Sequence, residues 1–359
     1  EMCIRDRPCC CRHHLRYAEA PERSCAVLSP AVWVCDNAMD TRQLIEDTAT
    51  KIFSDHCDKA LLDRSEQGEF ADELWQQITA NGFHQIGDAA GGTTAADTFA
   101  FLKVCGRFAV PLPMGELLLG HTWATGALAP CKGLVSIGRQ HGDGATQVPW
   151  GRRAERVFAV QADSLAVIVT DAPDCVDQHT NMAGEARDTV AFGGETQQIV
   201  LNDDPFAQMA LARTNVMAGT LQAVLDLGLQ FAAEREQFGR SISKFQAIQH
   251  SLAVVAAEVA AAQRAADAGV DALGTDRFVA EAAASKARVG EAVGIVAEQV
   301  HQVHGAMGFT HEHRLHHFTR RLWAWRDEWG NEAHWQRILG ANLVSLGADK
   351  VWSYIATRG

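Results

Sequence analysis

The chain has 359 residues, 47% of them hydrophobic and 21% charged, with a formal net charge of -12. That length exceeds one ordinary core and implies two or three domains, and the acidic balance argues against nucleic acid or an anionic membrane surface as partner. No run reads as the eighteen consecutive apolar residues that a bilayer span needs, so no membrane segment is expected.

Six of the ten cysteines (Cys3, Cys9, Cys10, Cys11, Cys25, Cys35) precede Met39. They lack the Cys-x-x-Cys pairs of a zinc site, and Ser29 and Pro30 interrupt the apolar stretch a signal peptide would need. Residues 1–38 therefore read as a non-native or disordered extension, with Met39 as the expected start. The remaining scattered thiols fit a reducing cytoplasm.

Residues 39–130 read as a helical domain. Leu44, Ile45, Ala49, Ile52 and Phe53 outline a first helix, Glu69 to Ala80 a second, Asp97 to Phe108 a third, and Met114 to Leu128 a fourth after Pro111-Leu112-Pro113. Residues 131–205 change pattern. Val157–Val160, Leu165–Val169, Thr189–Phe192 and Gln198–Leu201 are short strand-like runs bounded by Gly, Asp, Asn and Pro, which predicts a small β-domain.

Residues 206–359 read as a four-helix bundle. The first helix spans Val216 to Arg235. Phe245, Ile248, Leu252, Val255, Val259, Ala262 and Ala266 mark the apolar face of the second. Val289, Val293, Val296, Val300 and Val303 mark that of the third, and Asn331 to Trp352 supplies the fourth. The fold class expected is thus mainly α with a small β-domain.

Two signatures punctuate the bundle: Arg235-Glu236-Gln237-Phe238-Gly239 followed by Phe245-Gln246-Ala247-Ile248-Gln249-His250, then Gln302-Val303-His304-Gly305-Ala306-Met307-Gly308-Phe309. Their order and spacing resemble the C-terminal half of the acyl-CoA dehydrogenases, and the match runs from Leu211 to Leu346. Gly91-Gly92 and the Pro-Leu-Pro run resemble that family's N-terminal domain. The resemblance implies bound FAD. Arg235 would reach the pyrophosphate and Gln237 would hydrogen-bond the same moiety, because a guanidinium fork matches phosphate oxygens. Phe238 would pack on the adenosine, and Gln302 with the backbone at Gly305 and Ala306 would meet the pyrophosphate of a neighbouring subunit. A homo- or hetero-oligomer is implied, as is α,β-desaturation of an acyl-CoA with electrons passed to an electron-transferring flavoprotein. A structural partner subunit and an oxygen-reoxidised oxidase are the other classes.

The chain departs from the family at three places. The β-domain lacks the usual Trp-Ile-Thr stretch. Ala306 stands where a glycine is usual. A gapless count places Trp329, not a carboxylate, at the position of the base, with Glu328 one residue early and Asp327 beside it. Some members carry the base on the first bundle helix instead, but here that position is Met209, and no carboxylate lies between Pro205 and Asp226. Two readings stand: Glu328 or Asp327 as base, or a non-catalytic subunit of a heteromeric dehydrogenase. The histidine-rich run His311-Glu312-His313-Arg314-Leu315-His316 misses the His-Glu-x-x-His spacing at Leu315, and arginines flank it, so no metal is expected.

Overall fold

The computed structural model describes residues 41–87, 92–161 and 163–357. The extension expected at 1–38, Met39 and Gly91 lie outside the described residues. Five helices open the chain: α1 (Thr41–His56), α2 (Lys59–Glu66), α3 (Asp72–Ala80), α4 (Ala95–Arg107) and α5 (Met114–Ala124). The periodicity predicts four. The extra one, α2, starts where the Asp58 side chain accepts from the Leu61 amide, an N-cap too short of apolar residues to stand out. At α4, Thr94 and Asp97 exchange hydrogen bonds in a capping box.

Seven strands follow: β1 (Leu134–His141), β2 (Gly144–Val148), β3 (Ala154–Val160), β4 (Ala166–Thr170), β5 (Pro173–Asp177), β6 (Asp188–Phe192) and β7 (Thr196–Val200). They form one sheet of order β5-β6-β2-β1-β3-β4-β7. All pairs are antiparallel except β1 with β3. The four expected runs correspond to β3, β4, β6 and β7. The other three escaped notice because β1 and β2 are rich in Gly, Gln and Arg, and β5 begins at a proline.

The helices of the third region are α6 (Pro205–Glu234), α7 (Gln246–Asp271), α8 (Phe278–His304), α9 (Leu315–Asp327), α10 (Glu332–Leu346) and α11 (Ala348–Thr357). A two-residue hairpin, β8 (Glu236–Gln237) and β9 (Arg240–Ser241), links α6 to α7. The apolar faces expected on α7 and α8 are buried at Leu252, Val255, Val259 and Ala262, and at Val289, Val293, Val296 and Val300.

The first bundle helix starts eleven residues earlier than expected (205 against 216), because Asp204 caps the amides of Phe206 and Ala207, with Pro205 in the first turn. Helix α9 has no counterpart among the helices expected from the sequence. Leu315, Phe318, Leu322 and Trp325, all buried, do carry a helical spacing that the surrounding His and Arg residues obscured. The last expected helix is two, split at Gly347, whose φ is +81°.

Helix α6 is by length and composition long and apolar enough to cross a membrane, which the reading of the sequence overlooked. It is instead the central core helix, with 61% of its most apolar window buried. Its contact with α4 is backbone to backbone. A Cβ added at Gly219 would sit 1.9 Å from the Lys103 carbonyl oxygen, and one at Gly106 would sit 2.0 Å from that of Val216. Thr220 Oγ1 donates to the Gly106 carbonyl at 2.8 Å and locks the crossing. Core residues of the first helices, the sheet and the bundle form one continuous apolar cluster, so the three regions differ in secondary structure while sharing a core.

Candidate functional site

The first signature folds into the β8–β9 hairpin, and the physical reason lies in its two turn residues. Phe238 and Gly239 both have positive φ, +53° and +78°, the left-handed pair that a two-residue hairpin requires. Glycine adopts this freely, whereas for phenylalanine it is strained. The Phe238 ring stands in solvent at 91% exposure. Arg235 ends α6, its amide donating to the Phe231 carbonyl and its carbonyl accepting from Ile242. Its guanidinium makes no ion pair among the described residues.

The second signature ends α8. Gly305 turns the chain at φ +56°, and Gly305–Phe309 forms a short 3-10 turn. Both signatures border one open cavity of about 600 Å³. Arg235, Gln237, Phe238, Gln302, Gly305 and Ala306 all line it, so every residue expected at the cofactor is brought together. His304 closes its floor, stacked 4.3 Å from Phe231. Burial pushes the His304 imidazole down to about 4, so it is neutral at physiological pH.

Glu328 and Asp327 stand at a second cavity, of about 630 Å³, between the sheet and α9; Arg139, Gln147, Asn181 and Arg187 also line it. The two carboxylates have different surroundings. Asp327 is exposed. Glu328 accepts from Arg187 Nε at 2.8 Å and Nη2 at 3.2 Å and from Asn181 Nδ2 at 3.1 Å. Arg213 Nη2 lies 3.0 Å away. Burial alone would raise its pKa, but the charges of Arg187 and Arg213, with hydrogen bonds from Arg187 and Asn181, hold it down at about 2. Desolvation is thus outweighed by the two guanidinium groups. Trp329 itself is buried against Phe206 at 5.5 Å, and its carbonyl accepts from Trp335 Nε1.

The clamp is one part of a longer buried ionic network. Arg213 also binds Glu116 at 2.7 Å, and Arg187 binds Glu185 at 3.0 Å. Glu185 accepts from Trp325 Nε1 at 2.7 Å. Glu66 accepts from Arg321 at 2.6 Å, Arg320 at 3.0 Å and His317 Nδ1 at 2.7 Å, and these contacts outweigh its burial to hold it at about 2. Sequence reasoning missed Arg187, Arg213, Glu116, Glu185 and Glu66. A signal existed for two of them: Arg213 is the lone charge between Pro205 and Asp226, and Glu116 the lone charge in the apolar α5. An isolated charge inside an apolar helix demands a partner.

Lys286 of α8 supports the same region from below. It is buried, and its Nζ donates to the carbonyls of Arg326 at 2.7 Å and Gly330 at 2.9 Å on either side of Glu328. Burial lowers its pKa to about 7.

Residues 204–341 match the acyl-CoA dehydrogenase C-terminal domain. Over 306 residues the chain is 24% identical to acyl-CoA dehydrogenase IpdE2 of Mycolicibacterium smegmatis, covering 79% of this chain and 92% of that protein. Its fold is similar to a variant of the steroid ACAD Tcur3481-Tcur3483, with a TM-score of 0.73 at 19% identity over 86% of this chain and 99% of that one. It is also similar to the ChsE4-ChsE5 complex from Mycobacterium tuberculosis, with a TM-score of 0.69 at 18% identity over 85% of this chain and 97% of that one.

Proposed function

We propose that this chain, whose residues 204–341 match the acyl-CoA dehydrogenase C-terminal domain, is one subunit of an FAD-dependent, heteromeric acyl-CoA dehydrogenase that takes its proton-abstracting base from a second chain. The observation that carries this reading is the state of Glu328. A base for an α-proton works best with a raised pKa; Glu328 is engaged by two arginines and sits at about 2. Asp327 lies on the rim, exposed to water.

The 600 Å³ cavity fits the adenosine-pyrophosphate end of FAD by the chemistry of its donors. It offers an uncommitted guanidinium at Arg235, amides at Gln237 and Gln302, and a turn at Gly305 where nothing lies within 4 Å of an added Cβ. Arg235 would pair with the phosphates and Phe238 would stack on the adenine ring. Bound FAD supplies the hydride acceptor for the β-hydrogen of an acyl-CoA, and the electrons leave to an electron-transferring flavoprotein. The exposure of Phe238, Met307 at 45% and Phe309 at 75% fits a surface covered by another dehydrogenase-type chain. A second reading, a self-sufficient dehydrogenase with Glu328 or Asp327 as base, is favoured by the position of both carboxylates at the 630 Å³ cavity.

The test is to purify the chain alone and with a second dehydrogenase-type chain and to follow flavin bleaching by acyl-CoA. The paired protein is expected to bleach, and to go on bleaching when Glu328→Gln is introduced here. Arg235→Ala should weaken FAD by roughly ten- to a hundredfold, from the loss of about 1.5–3 kcal/mol of charged hydrogen bonding. A single-chain protein that bleaches, and loses bleaching in a folded Glu328→Gln variant, refutes the proposal in favour of the second reading.

A further inference from the structure

The histidine-rich segment that runs into the first turn of α9 acquires a partner that no local pattern reveals. It packs on α2, which presents Asp63 and Glu66 to it. His317 is fully buried, and its Nδ1 donates to Glu66 Oε1 at 2.7 Å. That bond fixes the tautomer and leaves the Nε2 lone pair directed at Asp63 Oδ1, 3.1 Å away. His316 is built the same way. Its Nδ1 donates to the His313 carbonyl at 2.7 Å, which leaves Nε2 as an acceptor.

Among the described residues His316 Nε2, His317 Nε2 and Asp63 Oδ1 are all buried and all without a hydrogen-bond partner. His317 Nε2 and Asp63 Oδ1 thus face each other at 3.1 Å, an approach that requires a cation or a proton between them. The ligand atoms of Asp63, His311 and His316 lie within 4.8 Å of one another, as do those of Glu66, His316 and His317. The His311 ring stands 4.9 Å from that of His316 at the exposed rim.

We propose that Asp63, His316 and His317, with His311 closing the rim, bind one divalent transition-metal ion of the zinc class. Two to three imidazoles and one carboxylate are the donors that zinc selects over calcium or magnesium. The His317–Glu66 and His316–carbonyl hydrogen bonds are the outer contacts that orient metal-binding imidazoles. Small side-chain rotations would bring the donors to the roughly 3.4 Å edges of a tetrahedron with bonds near 2.1 Å.

Of the flanking cations, Arg314 lies over the Phe318 ring at 5.1 Å. Arg320 and Arg321 both pair with Glu66, and Lys59 binds the other oxygen of Asp63, Oδ2, at 2.6 Å. An ion here would staple α2 to α9, the helix that carries Arg321 and Trp325 into the ionic network. Sequence spacing concealed the site because Asp63 lies about 250 residues before the histidines.

The experiment uses the full chain stripped with a chelator and titrated with ZnCl2 by calorimetry, with Co2+ as a spectroscopic substitute. Expected are one ion per chain, a higher melting temperature and the intense visible absorption of tetrahedral cobalt. His316→Gln should weaken binding at least tenfold and abolish the cobalt bands. His311→Ala, at an exposed position that leaves the fold intact, should weaken binding less, and His141→Ala on the far sheet should change nothing. Absence of stoichiometric binding, or equal binding by His316→Gln and the unaltered chain, overturns the proposal. In that case His317 is an imidazolium bridging Asp63 and Glu66, visible as a proton on both ring nitrogens by NMR.

Discussion

Replacing Glu328 by glutamine removes one negative charge from between Arg187 and Arg213 while keeping the shape of the side chain. Two routes give the cost. Removing one partner of a buried ion pair costs about 3–5 kcal/mol, and the low end applies because Arg213 keeps Glu116 and Arg187 keeps Glu185. Independently, a carboxyl lowered from 4.5 to about 2 stores about 3 kcal/mol of folding free energy at neutral pH. Both predict a loss of about 3 kcal/mol, which for a chain of this size lowers the melting temperature by roughly 4 °C.

The pH dependence has a definite sign. A depressed carboxyl stabilises fully above its unfolded pKa, near 4.5, and that contribution disappears as pH falls toward 2. The unaltered chain should therefore lose stability over this window more steeply than Glu328→Gln, and the two should converge in acid. Scanning calorimetry and urea titrations at pH 7 and at steps between 5 and 3 measure both effects. An unchanged melting temperature at pH 7, or identical acid sensitivity, would refute the structural role assigned to Glu328. Asp327→Asn serves as control: its side chain is exposed, and a change within about 0.5 kcal/mol is expected.

Lys286→Met should remove a pH dependence of opposite origin. Because burial holds the folded pKa near 7, below the usual 10.5, the unfolded chain binds a proton over that interval that the folded chain does not. Stability from this group therefore rises between pH 7 and 10.5, and denaturation curves of the variant should lack that rise. Gly219→Ala should cost about 2–3 kcal/mol or more, since its Cβ would fall 1.9 Å from the Lys103 carbonyl oxygen; a variant that melts like the parent contradicts the close α4–α6 crossing. Gly340→Ala, with nothing within 4 Å of the added Cβ on an exposed face of α10, should be neutral or slightly stabilising by helix propensity, as denaturant midpoints would show.

The sequence by itself determined the helices whose apolar residues recur within a few turns. Val255, Val259 and Ala262 on α7, and Val289, Val293 and Val296 on α8, announce a buried face without reference to anything distant. It also determined the two signatures, because a left-handed pair at Phe238-Gly239 and a turn at Gly305 are local backbone demands met by local residues. Helix α9 carried such a period too, but five histidines and arginines among its thirteen residues masked it.

Only the tertiary structure decided the state of the ionisable groups. Whether Glu328 is a base or a clamp depends on Arg187 and Arg213, 141 and 115 positions away. Whether the histidines around the start of α9 are a solvated stretch or a donor cluster depends on α2. A charge reveals in the sequence that it needs a partner when it lies in an apolar helix, as Arg213 and Glu116 do. Which partner it meets is set by how the helices and the sheet close on one another, because electrostatic energy follows distance and burial in space rather than separation along the chain.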